Sequence, residues 1–499
     1  MSEMAPKSIT PETAGSARNG ADYLASIKDD GRQVYLDGDV VRDVTTHSAF
    51  KGAAKSFARL FDVAADPANA ALMTFPSPKT GAPVWRCYEI PKTAADLGAR
   101  RLMSARWAEE TFGLMGRTPD HVAGFLAGYA AKSSIFAEHS KQFADNVVRY
   151  HAHARDNHLY VSYAIVPPQI DRSRPAHKQS DTTLHAGVVK ERDDGIVLKG
   201  AQQLGTGAVF ADAVYISCIH PLTPGDEAYA FAVAVPCNAP GLRIYTRRPY
   251  ASAATSAFDY PLTSRFDETD ALLVFDDVFV PWENVFCHRN LTLCHDQWWR
   301  TPSHSYGNHQ AQVRYSAKLR FLMGLTKRLC EITGIDAMPP VQIQLGEMAA
   351  FATIVESMVR AEETEATIDS EGVVWPSKQA LYAVMSLQSE INPRLNNTLR
   401  ELAGGSIITL PSSEKDFVNP TAAADIERYI ASPGFTSKER VAILRLVWDF
   451  IGTEFAGRHE QYEKFYGGAS FLVKQNMARA YDFAKATTMV ERALNLPEP

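Results

Sequence analysis

In the sequence VVKERDDGIVLKG, residues 188–200, two runs rich in β-branched side chains flank Asp193, Asp194 and Gly195. An Asp-Gly turn between two such runs is a strong signal for a β-hairpin. Other short apolar runs follow at residues 213–219, 228–235 and 271–279. Their spacing predicts an antiparallel barrel or sandwich between about residues 159 and 285, and not alternating strands and helices.

The sequence on both sides of this β region has mostly helical patterns. Before it, residues 93–112 and 121–146 are helical examples. After it, Thr436 and Glu439 match a capping box that precedes the largely apolar residues 441–451. That segment predicts a mostly buried helix, with a subunit interface as one place for it. Apolar residues also recur at helical spacing at Met348, Phe351, Ile354, Val355 and Met358.

We therefore predict an α+β fold. The predicted parts are a flexible arm (1–20), an N-terminal helical domain (21–155), a middle antiparallel β domain (156–285) and a C-terminal helical bundle (286–499). This order is similar to the layout of the acyl-CoA dehydrogenase-like flavoproteins, in which the flavin lies between the β domain and the bundle. Layout alone assigns no chemistry.

Composition excludes several classes of protein. A chain of 499 residues with 45% hydrophobic and 22% charged residues is typical of a globular protein with two or three domains. A net charge of −6 gives no footprint for nucleic acid or an anionic membrane, and no apolar run is long enough to span a membrane. Six dispersed cysteines and an N-terminus unlike a secretory signal predict a reducing cytoplasm.

The motifs for phosphate and metal sites are missing from the sequence. Lys79-Thr80-Gly81 lacks the upstream glycine of a P-loop. The spacing of Cys287, His288 and Cys294 matches no common zinc pattern, so we expect no metal.

The sequence LMGRTPDH, residues 114–121, places one fixed cation in a turn after a helix. A guanidinium is always charged and cannot act as an acid or base near neutral pH. If Arg117 lies in a pocket, its role is to hold an anion such as a carboxylate or phenolate. A solvated loop residue or a helix cap is the alternative.

Further blocks accompany this turn in a fixed order from Ala21 to about Gly468. They are DDGRQVYLDG and RDVTTH (29–38, 42–47), MGRTPD (115–120), AIVPP and IDR (164–168, 170–172), DYPL, SRFD and VPWENV (259–262, 264–267, 280–285), and LPSS, GTEF, GR and YE (410–413, 452–455, 457–458, 462–463). Together they resemble the para-hydroxyphenylacetate hydroxylase family, the oxygenase components of two-component flavin monooxygenases.

The resemblance implies an acyl-CoA dehydrogenase-like fold, usually a homotetramer. Reduced FAD (FADH2) would come from a separate NAD(P)H:flavin reductase and react with O2. The resulting C4a-hydroperoxide would transfer one oxygen atom to an activated aromatic ring, a phenol or a related heteroaromatic compound. The protein would orient the ring and exclude water.

The resemblance also implies a substrate site. Family members bind the substrate hydroxyl with an arginine, a tyrosine and a histidine. Here Arg117 matches the arginine, His121 stands at the tyrosine position and Tyr163 at the histidine position, so the two polar types are exchanged. We expect His121 to be the titrating base because its unperturbed pKa is near neutral. His288 is a second candidate base, and surface histidine is its alternative role.

By the same resemblance, three segments would bind the flavin and one would cover the substrate. Thr206 would lie at the reactive edge of the flavin, where it can donate a hydrogen bond. The covering loop would span residues 218–226, with Cys218, Ile219 and His220 as substrate-binding residues. The other flavin-binding residues would be Tyr163, Ala164, Ile165, Val166, Gln169, Ile170, Asp171, Arg172, Thr453, Glu454, Phe455 and Ala456.

Three other functions compete with this one. An iron–sulfur dehydratase of the same superfamily needs a cysteine pair before Met115, and residues 99–105 contain none. An acyl-CoA dehydrogenase acting on a CoA thioester needs a carboxylate base in the bundle, and no candidate stands out. A flavin-sequestering protein without activity is the third.

Overall fold

The computed structural model describes residues 17–494. These residues form seventeen helices: α1 (Gly20–Ile27), α2 (Lys51–Ala65), α3 (Ala70–Met73), α4 (Ala94–Glu110), α5 (Pro119–Ala131), α6 (Ser134–Ala137), α7 (Lys141–Asp156), α8 (Thr263–Phe266), α9 (Leu291–Trp299), α10 (Ser303–Thr333), α11 (Pro339–Thr364), α12 (Lys378–Ala403), α13 (Pro420–Tyr429), α14 (Ser437–Ile451), α15 (Glu454–Phe465), α16 (Ser470–Ala480) and α17 (Phe483–Leu494).

The strands of the described residues are β1 (Gln33–Leu36), β2 (Asp39–Val41), β3 (Thr74–Pro76), β4 (Pro83–Trp85), β5 (Val161–Ala164), β6 (Gly187–Arg192), β7 (Gly195–Gln202), β8 (Ala213–Ser217), β9 (Phe231–Pro236), β10 (Leu242–Thr246), β11 (Ala271–Pro281), β12 (Val285–His288), β13 (Thr367–Ile368) and β14 (Val374–Trp375). Long helices therefore lie on both sides of a strand-rich middle, and the predicted α+β class is confirmed.

The predicted hairpin is β6 and β7, joined through Asp193 and Asp194. It forms one edge of a six-stranded sheet with the order β2-β1-β10-β11-β7-β6. The second large sheet has the order β12-β9-β8-β5, and the Gln202 amide at the end of β7 donates to the Ser217 carbonyl on β8 at 2.8 Å. This bond ties the two sheets together.

The strand pairing is not antiparallel throughout. Strand β1 runs parallel to β10, and β5 runs parallel to β8. Both parallel pairs join strands that are distant in sequence, so no hairpin turn dictates their direction. Strands β1 and β2 come from the region predicted to be helical, and Tyr35 of β1 stacks on Tyr245 of β10 with ring centroids 4.7 Å apart. The domain boundaries therefore stay a prediction.

Two of the predicted helices are present, and a third predicted helical stretch is broken. The Thr436 capping box is present, and α14 begins directly after it. The predicted stretch 93–112 corresponds to α4, which a second capping box at Thr93 begins. The stretch 121–146 is broken into α5, α6 and α7, because the chain leaves helical geometry at Lys132 and again before Lys141.

The predicted arm lies mostly outside the described residues. Its last residues are held in place: the Arg18 guanidinium donates to the Asp212 carboxylate at 2.8 and 2.9 Å, and Asn19 caps α1. Within residues 17–494, no helix is both long and apolar enough to cross a membrane.

A buried ionic cluster joins three helices of the C-terminal half. Glu463 on α15 binds Arg314 and Lys318 on α10 and accepts a hydrogen bond from Gln388 on α12 at 2.6 Å. None of the four side chains is appreciably exposed. Burial alone would raise the pKa of Glu463, but Arg314 and Lys318 outweigh it and lower the pKa to about 2.

We expect Glu463→Gln to lower the free energy of unfolding by about 3–5 kcal/mol at pH 7, because two buried cations lose their counter-charge. The pKa of Glu463 falls from 4.5 to about 2 on folding, so its contribution is present above pH 4.5 and is lost as the pH falls towards 2. Urea denaturation across this range measures both effects. Glu390→Gln, which breaks an exposed pair with Lys474, serves as the control and should cost less than about 1 kcal/mol.

Candidate active site

A carboxylate binds the backbone of the turn before α5. The backbone N–H groups of Gly116 and Arg117 each donate to Glu268, at 3.0 Å. A Cβ at Gly116 would lie 2.2 Å from the Tyr462 hydroxyl, so only glycine allows α15 to approach this closely. Tyr160 donates to the Arg117 carbonyl at 2.7 Å. These contacts hold the backbone of the turn in place.

The Arg117 side chain is a buried cation without a carboxylate partner among the described residues. It is 7% exposed. One guanidinium nitrogen donates to the Tyr462 hydroxyl at 2.7 Å and another lies 3.4 Å from the Tyr466 carbonyl. The central carbon of the guanidinium, Cζ, is 5.2 Å from the ring centroids of Tyr163 and Tyr462. Because a buried charge is costly unless it is paired, this site favours an anionic ligand.

Tyr462 is surrounded by three guanidinium groups. The carbons of Arg117, Arg314 and Arg458 lie 5.2, 5.2 and 4.9 Å from its ring centroid. Arg314 and Arg458 have carboxylate partners, and Arg117 has none among residues 17–494. Burial raises the pKa of Tyr462 to about 12 despite these cations, so its hydroxyl is neutral at pH 7.

His121 lies next to Arg117 and is 2% exposed. Its ring stacks on Tyr163, with centroids 5.4 Å apart, and meets Phe125 edge-on at 5.2 Å. Burial, and then the charge of Arg117, lower the pKa of His121 well below 6.5. The imidazole is neutral at pH 7, so the expectation of a base titrating near neutrality does not hold in this pocket.

Two of the predicted flavin-binding segments lie side by side. The Gln203 N–H donates to the Val166 carbonyl at 2.9 Å, and the Ser162 hydroxyl donates to the Thr206 carbonyl at 2.6 Å. These bonds bring residues 163–166 alongside Thr206. The Thr206 hydroxyl donates to Asp270 at 2.7 Å, so its proton is committed and its lone pairs remain as acceptors.

The third segment joins this group through Arg458, which the sequence did not single out as a site residue. Arg458 on α15 binds Asp270 at 2.7 Å and Glu268 at 3.0 Å. Although burial alone would raise it, Arg458 and Arg247 hold the pKa of Asp270 well below 3.8. Thr453, at the start of the same helix, accepts the Ala456 N–H as its cap.

The other residues of that segment differ in exposure. Phe455 and Ala456 are buried, and Phe455 packs on His459 with centroids 4.3 Å apart. Glu454 is exposed and lies 3.9 Å from Arg248. Gly457 has open space where a Cβ would stand.

The remaining predicted flavin-binding residues, Gln169 to Arg172, lie beyond β5 in a partly exposed turn. Asp171 accepts hydrogen bonds from Ser173, and Ile170 is 53% exposed. No hydrogen bond links this turn to Arg117 or Thr206 among the described residues. The structure therefore does not bring it to the pocket by direct contact.

The predicted covering loop starts at the pocket and is anchored at its far end. The Ile219 N–H donates to the Ile165 carbonyl at 3.0 Å, Cys218 is buried and His220 is exposed. Buried Asp226 accepts hydrogen bonds from Thr223 and His177, including one from the His177 ring at 2.9 Å. The Asp226 carboxylate therefore ties the end of the loop to His177.

His288 belongs to another surface. Its Nε2 lies 3.2 Å from Glu191 on the hairpin, and its ring meets Trp282 at 5.2 Å. Neither Glu191 nor Trp282 contacts Arg117. Within residues 17–494, no group of three or more His, Cys, Asp or Glu side chains could hold a metal ion, and all six cysteines are free and buried.

Sequence reasoning missed Glu268, Asp270, Arg458, Tyr462 and Tyr466. The pairs Gly457-Arg458 and Tyr462-Glu463 lie in recognised blocks, but their contacts with residues 150 or more positions away leave no local signal.

Known proteins resemble the chain over nearly its whole length. Family models described as the N-terminal and C-terminal parts of 4-hydroxyphenylacetate 3-hydroxylase match residues 19–287 and 294–495. The 4-hydroxyphenylacetate 3-monooxygenase oxygenase component of Thermus thermophilus is 34% identical over 93% of this chain and 95% of that protein. The oxygenase component of a Rhodococcus 4-nitrophenol 2-monooxygenase is 33% identical over 95% and 90%.

A solved structure shows the same architecture. The crystal structure of a 4-hydroxyphenylacetate 3-monooxygenase oxygenase component complexed with FAD and 4-hydroxyphenylacetate superposes with a TM-score of 0.90 and 33% identity, over 96% of this chain and 98% of that one. The chain therefore has the fold of this oxygenase component, with helical regions on both sides of a β region. The matched models and relatives together establish that the chain belongs to the 4-hydroxyphenylacetate 3-hydroxylase family.

Proposed function

We propose that this chain hydroxylates a phenol, or a related electron-rich aromatic ring, whose oxygen is held by Arg117, His121 and Tyr163. Its family makes it a flavin-dependent aromatic monooxygenase with reduced FAD as cofactor and O2 as co-substrate. The observation that carries the residue roles is the buried Arg117 guanidinium without a carboxylate partner among the described residues. A phenolate supplies the missing charge and is the electron-rich form of the ring.

The polar groups of the pocket fit a reduced flavin. Reduced flavin carries an N5–H donor, and the Thr206 hydroxyl, whose proton is held by Asp270, offers a lone pair. Tyr163 to Val166 form an aromatic and apolar wall beside it. When bound, the flavin supplies the activated oxygen. Arg117 and His121 orient the ring, and the buried turn keeps water away.

The relatives' substrates support a phenol with a substituent opposite the hydroxyl. The relatives are named for 4-hydroxyphenylacetate and 4-nitrophenol, which share that pattern. The exchange of histidine and tyrosine at positions 121 and 163 is a reason to expect a ring other than 4-hydroxyphenylacetate.

We further propose a separate NAD(P)H:flavin reductase, a cytoplasmic location and a homotetramer. The word component in the relatives' names supports the reductase. Self-association is supported by exposed apolar side chains on α16 and α17, including Phe471 at 70%, Met489 at 68% and Leu494 at 79%. Helix α14, for which a subunit interface was one predicted place, buries Leu444 and Val447 within the chain.

The activity is tested by mixing the enzyme with reduced FAD, labelled O2 and a panel of phenols, halophenols, nitrophenols and N-heteroaromatics. We expect one product with a single labelled oxygen on the ring, detected by mass spectrometry, while the second oxygen atom leaves as water. Release of hydrogen peroxide alone with every ring would contradict the proposal and favour a flavin-sequestering protein.

Arg117→Met should weaken phenol binding about 30-fold or more, because the ligand loses a buried charge partner. Affinity for reduced FAD should change little. Calorimetric titration of the anaerobic, flavin-loaded enzyme with 4-nitrophenol measures the first quantity and flavin titration the second. Arg248→Met, at an arginine that is 68% exposed, is the matched control. Equal losses of both affinities would show that Arg117 maintains the fold of the pocket and does not bind substrate.

Thr206→Val should weaken binding of reduced FAD about fivefold, the value of one hydrogen bond, and binding of oxidised FAD less, since only the reduced ring has N5–H. Thr206→Ser keeps the hydroxyl and should retain most of the affinity. Anaerobic fluorescence titrations measure both redox states. A loss that is the same for oxidised and reduced FAD would rule out the acceptor role.

A further inference from the structure

We propose that Gln310 and Asp120 are positioning residues that hold His121 with its proton on Nδ1, so that Nε2 accepts the hydrogen of a substrate hydroxyl. The inference deepens the proposed function and rests on it, because it concerns the same pocket. None of the pocket predictions from the sequence involved Gln310 or Asp120.

The orientation of the Gln310 amide follows from its neighbours. Its Nε2 lies 3.1 Å from Asp120 Oδ1 and 3.2 Å from Thr118 Oγ1. The Thr118 hydroxyl itself donates to Asp120 Oδ1 at 2.6 Å, so both of these oxygens are acceptors for the amide. A reversed amide would place its oxygen against a carboxylate and a hydroxyl whose proton is already used. Gln310 Oε1 therefore faces His121.

This orientation determines the tautomer of His121. Gln310 Oε1 lies 3.0 Å from His121 Nδ1 and can only accept, so Nδ1 carries the hydrogen. A neutral imidazole has only one N–H, so Nε2 has no hydrogen and carries a lone pair. Nε2 is buried and has no hydrogen-bond partner among the described residues. The tautomer is thus set by residues behind the ring, as in catalytic histidines oriented by a second polar group.

The charges around the ring define what Nε2 can bind. Arg117 and Arg314 disfavour a positively charged imidazole, and burial does so most strongly. Nε2 is therefore a neutral acceptor close to a fixed cation. A phenol satisfies both: its O–H hydrogen-bonds to Nε2 and its oxygen faces Arg117. If the O–H bond breaks, the proton moves to Nε2 and leaves a phenolate, and Nδ1–H still donates to Gln310.

Asp120 completes the chain of contacts from behind. It is 1% exposed, and burial raises its pKa above 3.8 while hydrogen bonds from Thr118, Ser104 and Gln310 oppose the rise. The Asp120 side chain hydrogen-bonds to the Gln310 amide and not to the His121 ring, so it acts on the imidazole only through the amide.

The test compares 4-nitrophenol with its methyl ether, 4-nitroanisole, which lacks the hydrogen that Nε2 accepts. The titrations are run at a pH below the pKa of 4-nitrophenol, so that the free phenol still carries this hydrogen. Dissociation constants are measured by calorimetry on anaerobic enzyme loaded with reduced FAD, so that no turnover occurs. We expect the wild-type enzyme to prefer the phenol strongly. Gln310→Met should reduce that preference about tenfold, the usual cost of losing a residue that orients a functional histidine. Its affinity for the ether should stay within about threefold.

A double-mutant cycle separates positioning from general loosening of the pocket. In the His121→Phe background, Gln310→Met should have no further effect on the phenol preference, because its action runs through the imidazole. Gln312→Met is the matched control: Gln312 is also buried on α10, but its amide donates to the Tyr466 hydroxyl. The phenol preference of Gln312→Met should equal that of the wild-type enzyme.

Three outcomes would overturn the inference. An unchanged phenol preference in Gln310→Met excludes a positioning role. If Gln310→Met reduces the phenol preference equally in the wild-type and His121→Phe backgrounds, Gln310 acts by another route. The same loss in Gln312→Met shows that any buried amide of α10 matters equally. A wild-type enzyme that binds neither probe would instead overturn the proposed function itself, and these results are distinguishable in one set of titrations.

Discussion

The ion pairs of Arg458 with Glu268 and Asp270 connect the parts of this molecule that must meet at the pocket. Arg458 lies on α15, and the two carboxylates precede β11. Glu268 also accepts the backbone N–H groups of the Arg117 turn, and Asp270 also accepts the Thr206 hydroxyl. One buried guanidinium thus links the helical bundle, the Arg117 turn and the loop that carries Thr206. Such a cluster depends on all its members, since removing one leaves the others buried and unpaired.

The same cluster explains why Arg117 is available to a ligand. Glu268 is the carboxylate that binds the backbone of the turn, but its oxygens are occupied by two backbone N–H groups and by Arg458. Arg117 is left with the neutral oxygens of Tyr462 and Tyr466. A buried cation whose partners are only neutral recovers less of its lost hydration than one in an ion pair. The Arg117 guanidinium is therefore a buried positive charge that an anionic ligand would neutralise.

Features with local causes could be predicted from the sequence, and features made by distant contacts could not. The β6–β7 hairpin follows from Asp193-Asp194-Gly195, and the start of α14 follows from the Thr436 hydroxyl, because turn and cap residues lie within a few positions of what they stabilise. The parallel pairing of β1 with β10 joins segments some 200 residues apart and has no such signal. Both Arg117 and Arg458 lie in family blocks. Arg117 could be singled out because it is one fixed cation in a turn after a helix, whereas Arg458 showed no role until its distant partners were in place.

Histidine shows most clearly why residue type is not enough to assign chemistry. Burial lowers the pKa of His121, His151, His304 and His459 alike, to about 4 for His151 and His304. All four are neutral at pH 7, so an ordinary pKa near neutrality distinguishes none of them. His151 uses its Nε2 on the Tyr88 carbonyl. His121 differs in three respects: its Nδ1 is held by an oriented amide, its Nε2 is unpartnered among the described residues, and its neighbour is the unpaired Arg117. The role that we propose for His121 therefore arises from what surrounds the ring on each side, and that arrangement exists only where α5, α10 and β5 pack together.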